Sequence, residues 1–256
     1  MTIQNPTHEA PLVSCIMPTA DRRPFVERAI QYFLCQDYSD KELIIVDDGA
    51  DPVIDLVPSD SRIRYIRLDK KATVGAKRNI ACEQARGTII VHWDDDDWHA
   101  PHQLHYQVDS LLQKGADLCG INILLFYDIR TGEAWQYKYP PGQKLWLSGS
   151  SLCYRRSFWE RNKFANINVG EDGRFVWRGD PGQMVVLSDF RFHVGIIHDK
   201  NVSPKRTRSP YWTQISTSDI RDVLGNDWDR YRNLNGSRHV DCVRSLMVVQ
   251  KREDAQ

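Results

Sequence analysis

Residues 88–101 read TIIVHWDDDDWHAP, an apolar run that delivers the chain into four consecutive carboxylates, Asp94 to Asp97. Thr88 to Trp93 is short and rich in β-branched residues, as expected of a buried strand in a parallel sheet. Four adjacent carboxylates repel one another unless a cation or several donors compensate them. Most charge runs are solvated loops, but Trp93 and Trp98 flank this one and the strand before it is apolar, which argues against full solvation. Hard cations such as Mg2+ and Mn2+ take oxygen ligands, commonly one or two carboxylates plus substrate phosphates. The run therefore predicts a metal bridging to a diphosphate.

The same strand-then-acid arrangement recurs upstream. Leu12 to Met17 is an apolar run ended by Pro18, Glu42 to Val46 runs into Asp47-Asp48-Gly49, and Ile63, Tyr65 and Ile66 form a third, half-buried strand. Between them Pro24 opens a helix whose Val26, Ala29, Ile30, Phe33 and Leu34 share one face. A second helix spans about residues 74–86, with Gly87 placed to stop it, and Pro101 opens a third. Strands alternating with helices imply a mostly parallel sheet with right-handed crossovers. Ligands bind beyond the carboxyl ends of such strands, so Thr19–Asp21, Asp47–Asp48 and Asp94–Asp97 should converge on one edge. Lys77 and Arg78 stand at the start of the second helix, where backbone N–H groups favour anions and Arg78 could fork onto a phosphate.

The second half is less regular. Ala116 to Phe126 reads as one strand, Asp128 to Tyr139 as a hairpin turning near Thr131-Gly132, and Leu145 to Tyr154 as strand-like. The tail reads as a helix near 211–233 followed by a strand, Ser245–Val249. The 256 residues carry 34 Lys+Arg against 34 Asp+Glu and are 41% hydrophobic. That excludes a disordered chain and removes any prior for a nucleic-acid partner. It suits one large domain with an extension. The six cysteines lack any CxxC pair, and most lie in apolar runs such as those around Cys15 and Cys35, so they read as buried, reduced thiols. No apolar span approaches the ~18–20 residues of a membrane helix, and MTIQNPTHEAP is not a secretory leader. The expectation is a soluble, cytoplasmic protein.

Taken in order, CIMPTADRRPFVERAI (15–30), ELIIVDDGA (42–50), VGAKRNIACEQARG (74–87) and TIIVHWDDDDWHAP (88–101) resemble the family 2 glycosyltransferases. Asp21 stands where that family usually has Asn, and Ala50 where it has Ser. The resemblance implies an α/β fold of GT-A type, a Rossmann-like, mostly parallel sheet flanked by helices. Residues 1–210 would form the domain, nucleotide-binding over about 11–115 and acceptor-binding over about 116–210, with 211–256 as an extension packing on it.

It also implies an inverting, metal-dependent transfer from a nucleoside-diphosphate sugar, a UDP-sugar first, to a hydroxyl of a carbohydrate, lipid-linked or other acceptor. On this likeness Thr19, Asp21, Asp47, Asp48, Lys77, Arg78, Asp94 and Asp95 belong to the donor site, with Asp47 accepting from the uracil imide. Asp96 and His198 would hold Mn2+ or Mg2+, and Asp172, beside Glu171, would be the general base. His92, His99, His102, His105 and His193 read as structural. A lipid-linked acceptor would bring peripheral membrane contact, and the aromatic tail could cover a second copy of the chain. Two rivals are a nucleotidyltransferase, which would usually show a Gly-rich phosphate loop where this chain has Pro-Thr-Ala-Asp-Arg-Arg, and a non-catalytic sugar-nucleotide-binding module.

Overall fold

The computed structural model describes residues 10–232; the expected strand Ser245–Val249 and Cys242 lie outside the described residues. The first half runs β1 (Val13–Thr19), α1 (Arg23–Leu34), β2 (Lys41–Asp47), β3 (Ile63–Arg67), α2 (Val74–Gln84), β4 (Ile89–His92), β5 (Trp98–His99) and α3 (Gln103–Gln113). The second runs β6 (Leu118–Gly120), β7 (Ile123–Asp128), β8 (Glu133–Lys138), β9 (Cys153–Arg155), α4 (Arg156–Arg161), α5 (Glu171–Val176), β10 (Met184–Val186), β11 (His193–Ile197), β12 (Trp212–Ile215), α6 (Thr217–Leu224) and α7 (Trp228–Arg232).

Seven strands form the main sheet in the order β10-β6-β9-β4-β1-β2-β3. It is mostly parallel: β1 with β2 and β4, β2 with β3, and β6 with β10, whereas β9 runs antiparallel to both neighbours. A second sheet, β12-β8-β7-β11-β5, is largely antiparallel. Alternate residues of β1 feed opposite cores. Val13, Cys15 and Met17 pack with Val26, Ala29 and Phe33 of α1, whereas Ile16 joins Ala81 and Cys82 of α2 and Phe175 of α5. Because β1, β2 and β4 are parallel, their C-terminal ends open on one edge, as the alternating pattern predicts. No helix among the described residues is long and apolar enough to cross a membrane.

Several elements differ from the expectation for a physical reason. β1 runs through Pro18, which pairs with Val46. Its ladder to β4 has already ended at Ile16 with His92, so Pro18 has a strand on one side only, where its missing N–H is tolerated. Ala116–Phe126 is two strands: β6 belongs to the main sheet and β7 to the second. Between them the Ser151 hydroxyl accepts from the Ile121 amide at 3.0 Å and turns the chain from one sheet to the other. Leu145–Tyr154 is mainly loop and a 3-10 turn, Gly149–Ser151, before β9. The tail opens with a strand, β12, that extends the second sheet from β8, and two short helices follow. Cys35 is exposed at the end of α1, while Cys15, Cys82, Cys119 and Cys153 are buried. Gly87 does not cap α2, which closes at Ala85. It is needed because a Cβ there would lie 2.4 Å from the Leu12 carbonyl oxygen.

Gly75 is the tightest contact of this kind. It begins α2 beside the strap that leads to α5, and a Cβ there would lie 1.9 Å from the Ala165 carbonyl oxygen. Gly75→Ala should therefore cost about 1–3 kcal/mol in urea unfolding, as overpacking does. Alanine is the better helix former by about 1 kcal/mol, so unchanged or raised stability would contradict the contact.

Candidate active site

The Asp94–Asp97 run leaves β4 as a tight turn and is clamped at both ends by tryptophan. Trp93 is fully buried, donates to the Ala29 carbonyl at 2.9 Å and stacks on His99 with ring centroids 3.9 Å apart. Trp98 donates to Asp227 at 3.0 Å. The turn is thus no solvated loop, and each carboxylate has its own set of partners, with Arg22 shared by Asp95 and Asp96.

Asp94 accepts from Arg78 at 3.4 Å and keeps about a quarter of its side chain exposed. Asp95 accepts from the Thr19 hydroxyl at 2.5 Å and from Arg22 at 3.0 Å. Asp96 accepts from Arg22, from His198 Nε2 at 2.8 Å and from Asn201 at 3.2 Å. Asp97 accepts from His193 Nε2 and the Ile196 amide, both at 3.0 Å.

These environments separate the acidities. Burial, reinforced by the charges of Asp97 and Asp96 against the pull of Arg78, pushes Asp94 up to about 6. Burial pushes Asp95 up to about 7, with Arg22 opposing and Asp96 adding to the rise. Burial would also raise Asp97, but His193 and the Ile196 amide outweigh it and hold that carboxyl down at about 2. Burial works against the Arg22 guanidinium as well, yet the charges of Asp95 and Asp96 keep it firmly protonated.

A cavity of about 790 Å3 opens at this edge of the sheet, lined on one side by Thr19, Arg22, Lys77, Arg78 and the acidic turn, and on the other by Glu171 and Asp172. Arg78 joins the two sides, pairing with buried Glu171 while reaching Asp94. Burial pushes the Glu171 carboxyl up and Arg78 pulls it back. Asp172, on the first turn of α5, lies against the Gly149–Ser151 turn so closely that a Cβ on Gly149 would sit 2.2 Å from its Oδ2. His92, neutral through burial, holds that turn by donating from Nδ1 to the Gly149 carbonyl at 2.6 Å.

Three of the expected donor-site residues are occupied elsewhere and do not line the cavity. Asp47 is fully buried, and its carboxylate accepts from the Gly49 amide at 2.7 Å, the Val53 amide at 3.1 Å and the Tyr65 hydroxyl at 2.7 Å. It shapes the turn after β2, and both of its oxygens already accept from neighbouring groups. Asp48 pairs with Lys77 at 2.8 Å and accepts from the Ala72 amide. Asp21, at φ 56°, turns its carboxylate to the amides of Ala50 and Asp51 and to Lys71.

Arg22, which the sequence reading passed over, is the residue that most directly neutralises the acidic turn. Its neighbour Arg23 points outward to Asp51 and Asp55. The strap 198–203 is held by the same centre: Arg22 donates to the Lys200 carbonyl at 2.8 Å, and Phe25 stacks on His198 at 4.4 Å.

Among the described residues no three His, Cys, Asp or Glu side chains stand arranged around a metal position. The donor chemistry nevertheless fits a hard divalent cation, because four crowded carboxylates touch only two guanidinium groups, Arg22 and Arg78, and Asp94 and Asp95 are pushed toward the protonated form. His198 Nε2 stands 2.8 Å from Asp96 Oδ2. Its Nδ1 accepts from the Lys200 amide at 3.1 Å, so the proton lies on Nε2, directed at Asp96. To ligate through Nε2 it would have to give up that arrangement.

With the geometry in place, the comparisons with known proteins are direct: residues 14–170 match Glycosyl transferase family 2. The chain belongs to that family. It is 33% identical over 176 residues to the uncharacterized glycosyltransferase EpsJ of Bacillus subtilis, covering 65% of this chain and 46% of EpsJ. It is 33% identical over 110 residues to the GalNAc(5)-diNAcBac-PP-undecaprenol beta-1,3-glucosyltransferase of Campylobacter jejuni, covering 41% of this chain and 34% of that enzyme. The match thus spans less than half the length of these relatives. Among solved structures, S. aureus TarS in complex with UDP-GlcNAc superposes with a TM-score of 0.60 at 17% identity, over 89% of this chain and 68% of TarS. The mannosyltransferase PcManGT of Pyrobaculum calidifontis, in complex with GDP-Man and Mn2+, gives 0.57 at 20% identity, over 80% of this chain and 59% of that one. The fold of this glycosyltransferase is GT-A.

The acidities set a sign for pH. In the folded protein Asp94 and Asp95 retain protons that the unfolded chain has already lost, so stability falls as pH rises from about 4 to about 7. Above that range Arg22 faces a fully charged turn. Arg22→Met should then cost about 3 kcal/mol at pH 8, as breaking a buried pair does, and clearly less at pH 5. Urea unfolding at both pH values checks this, and an equal cost at each would contradict the role given to Arg22.

Proposed function

We propose that this glycosyltransferase moves a sugar from a nucleoside-diphosphate sugar, a UDP-sugar first, to an acceptor hydroxyl with inversion at the anomeric carbon. The observation that carries the reading is the sharing of one cavity by the Asp94–Asp96 turn and Asp172, with Arg78 and Glu171 between them. One neighbour holds UDP-GlcNAc and another GDP-Man, and the enclosure of Asp47 leaves its carboxylate turned away from the cavity. A donor diphosphate lies beyond the ends of β1 and β4, where Thr19, Lys77 and Arg78 line the wall. Mn2+ or Mg2+ held by Asp96 and Asp94 would supply neutralisation of the charge on the departing diphosphate.

The chain's own groups do the rest. Asp172 takes the proton of the acceptor hydroxyl as its oxygen bonds to the anomeric carbon from the side opposite the diphosphate. The bond from that carbon to the diphosphate oxygen breaks, and the nucleotide leaves with its electron pair. Arg78 keeps Glu171 and Asp94 from crowding the base with uncompensated charge. The strap 198–206, which lines the same cavity and is anchored by Arg22, Asp96 and Asn201, shields the site from water. A cytoplasmic site of action belongs to the same reading; the domain runs past residue 210, because β12 pairs with β8 and Ile220, Leu224 and Tyr231 join the core. The stretch Pro18-Thr19-Ala20-Asp21-Arg22-Arg23 at the end of β1, where a nucleotidyltransferase would usually carry a Gly-rich phosphate loop, favours glycosyl over nucleotidyl chemistry.

Asp172→Asn should lower transfer by about 10²–10⁴-fold, the range for a lost general base, while stabilisation by UDP with Mn2+ persists. At 100 times its dissociation constant a nucleotide adds about 2.7 kcal/mol, readily seen as a rise in melting temperature. Undiminished turnover would remove Asp172 from the base role.

A further inference from the structure

Opposite the acidic turn, the cavity wall is aromatic. Phe126 of β7, Tyr137 of β8, Trp212 of β12, Trp146 of the preceding loop and Trp177 at the end of α5 all line it. The first four brace one another. Ring centroids lie 4.8 Å apart for Phe126 and Trp212, 5.3 Å for Tyr137 and Trp212, and 6.0 Å for Tyr137 and Trp146. Tyr139 stacks on Trp146 at 5.0 Å and fixes its plane. Trp146 in turn lies against Gly173, where a built Cβ would meet its ring at 3.8 Å, so this indole borders the backbone immediately after Asp172.

Trp177 is of another kind. It is 42% exposed, yet its indole N–H donates to the Leu145 carbonyl at 3.0 Å and the Lys144 ammonium lies 5.6 Å from its ring. It therefore presents a large ring to water, held in one orientation, at the rim of the cavity.

An aromatic face carries negative charge density and attracts C–H groups that bear partial positive charge. A pyranose offers such a face, with its hydroxyls around the edge, and the same cavity supplies Ser150, Asn168 and Arg174 as polar partners. A few polar groups around an apolar wall are the usual make-up of a small-molecule site. A bare lipid alcohol would leave those polar groups unused.

We propose that this wall is the acceptor subsite and that the acceptor is a saccharide of at least two pyranose units. The ring bearing the attacked hydroxyl lies on Trp146 beside Asp172, and the next ring lies on Trp177. The proposal rests on the glycosyl-transfer reading of the same cavity and specifies its substrate class.

Saturation-transfer NMR on the full chain with UDP and Mn2+ tests it, using methyl glycosides and the β-linked disaccharides of glucose, galactose and N-acetylglucosamine as probes. A threonine-containing peptide and vesicles carrying polyprenyl phosphate serve as rivals. At least one disaccharide should bind the wild type at least tenfold more tightly than its methyl glycoside. Trp177→Ala should erase that advantage, and Trp177→Phe should keep most of it. Trp146→Phe, which spares the packing with Tyr139, should retain binding of the single ring, and Trp146→Ala should lose it. The UDP melting shift should stay unchanged in both Trp177 variants. Binding of no saccharide, binding of the peptide or the vesicles alone, or an undiminished disaccharide advantage in Trp177→Ala would overturn the proposal. A wild type that binds the disaccharides but no nucleotide would instead sink the transfer reading and leave the saccharide wall standing.

Discussion

Mutual repulsion among Asp94, Asp95, Asp96 and Asp97 is the constraint around which this molecule is arranged. Four like charges in sequence cannot share one solvated turn at the edge of a buried sheet without compensation. Each is turned toward a different element: α2 through Arg78, the end of β1 through Thr19 and Arg22, the strap after β11 through His198 and Asn201, and β11 itself through His193 and Ile196. The acidic turn is therefore the point at which the main sheet, the second sheet and the strap meet. Two of its carboxyls, Asp94 and Asp95, are still pushed toward the protonated form, a crowding that a divalent cation and a diphosphate can together resolve.

The donor and acceptor sides are coupled through one cation. Arg78 reaches Asp94 on one side and Glu171 on the other, and Gly75 lets α2 approach the loop before α5 closely enough for that reach. Burial opposes the charge on Arg78, and Asp94 with Glu171 restores it. Placement of Asp172 thus depends on the same helix start that lines the cavity beside the acidic turn.

Much of this was legible in the amino-acid sequence, and the parts that were not have identifiable causes. Period and punctuation mark β1, β2, β4 and α1 to α3 because each has an apolar run or face and a Pro or Gly close to one end, whereas β3 shows in its spacing alone. The parallel order then puts Thr19 and Asp94–Asp97 on one edge. The break between β6 and β7 carries no such mark: Gly120-Ile121-Asn122 interrupts the hydrophobicity too little, and the change of sheet depends on Ser151, thirty residues away. Asp47 shows a different limit. A carboxylate at the end of a strand is equally suited to a ligand and to nearby amides, and only coordinates show the Gly49 and Val53 amides taking its oxygens. Likewise nothing in Arg22-Arg23 says which guanidinium turns inward; the left-handed backbone at Asp21 decides it. The aromatic wall was hidden because its rings come from five separate segments.

In the proposed mechanism the acidic turn is a cation site completed by the nucleotide. Electron paramagnetic resonance of Mn2+ titrated into the protein, with and without UDP, measures this directly. The account predicts that UDP tightens Mn2+ binding at least tenfold in the wild type and that Asp96→Asn abolishes the gain. Equal Mn2+ binding by the wild type and Asp96→Asn in the presence of UDP would contradict it.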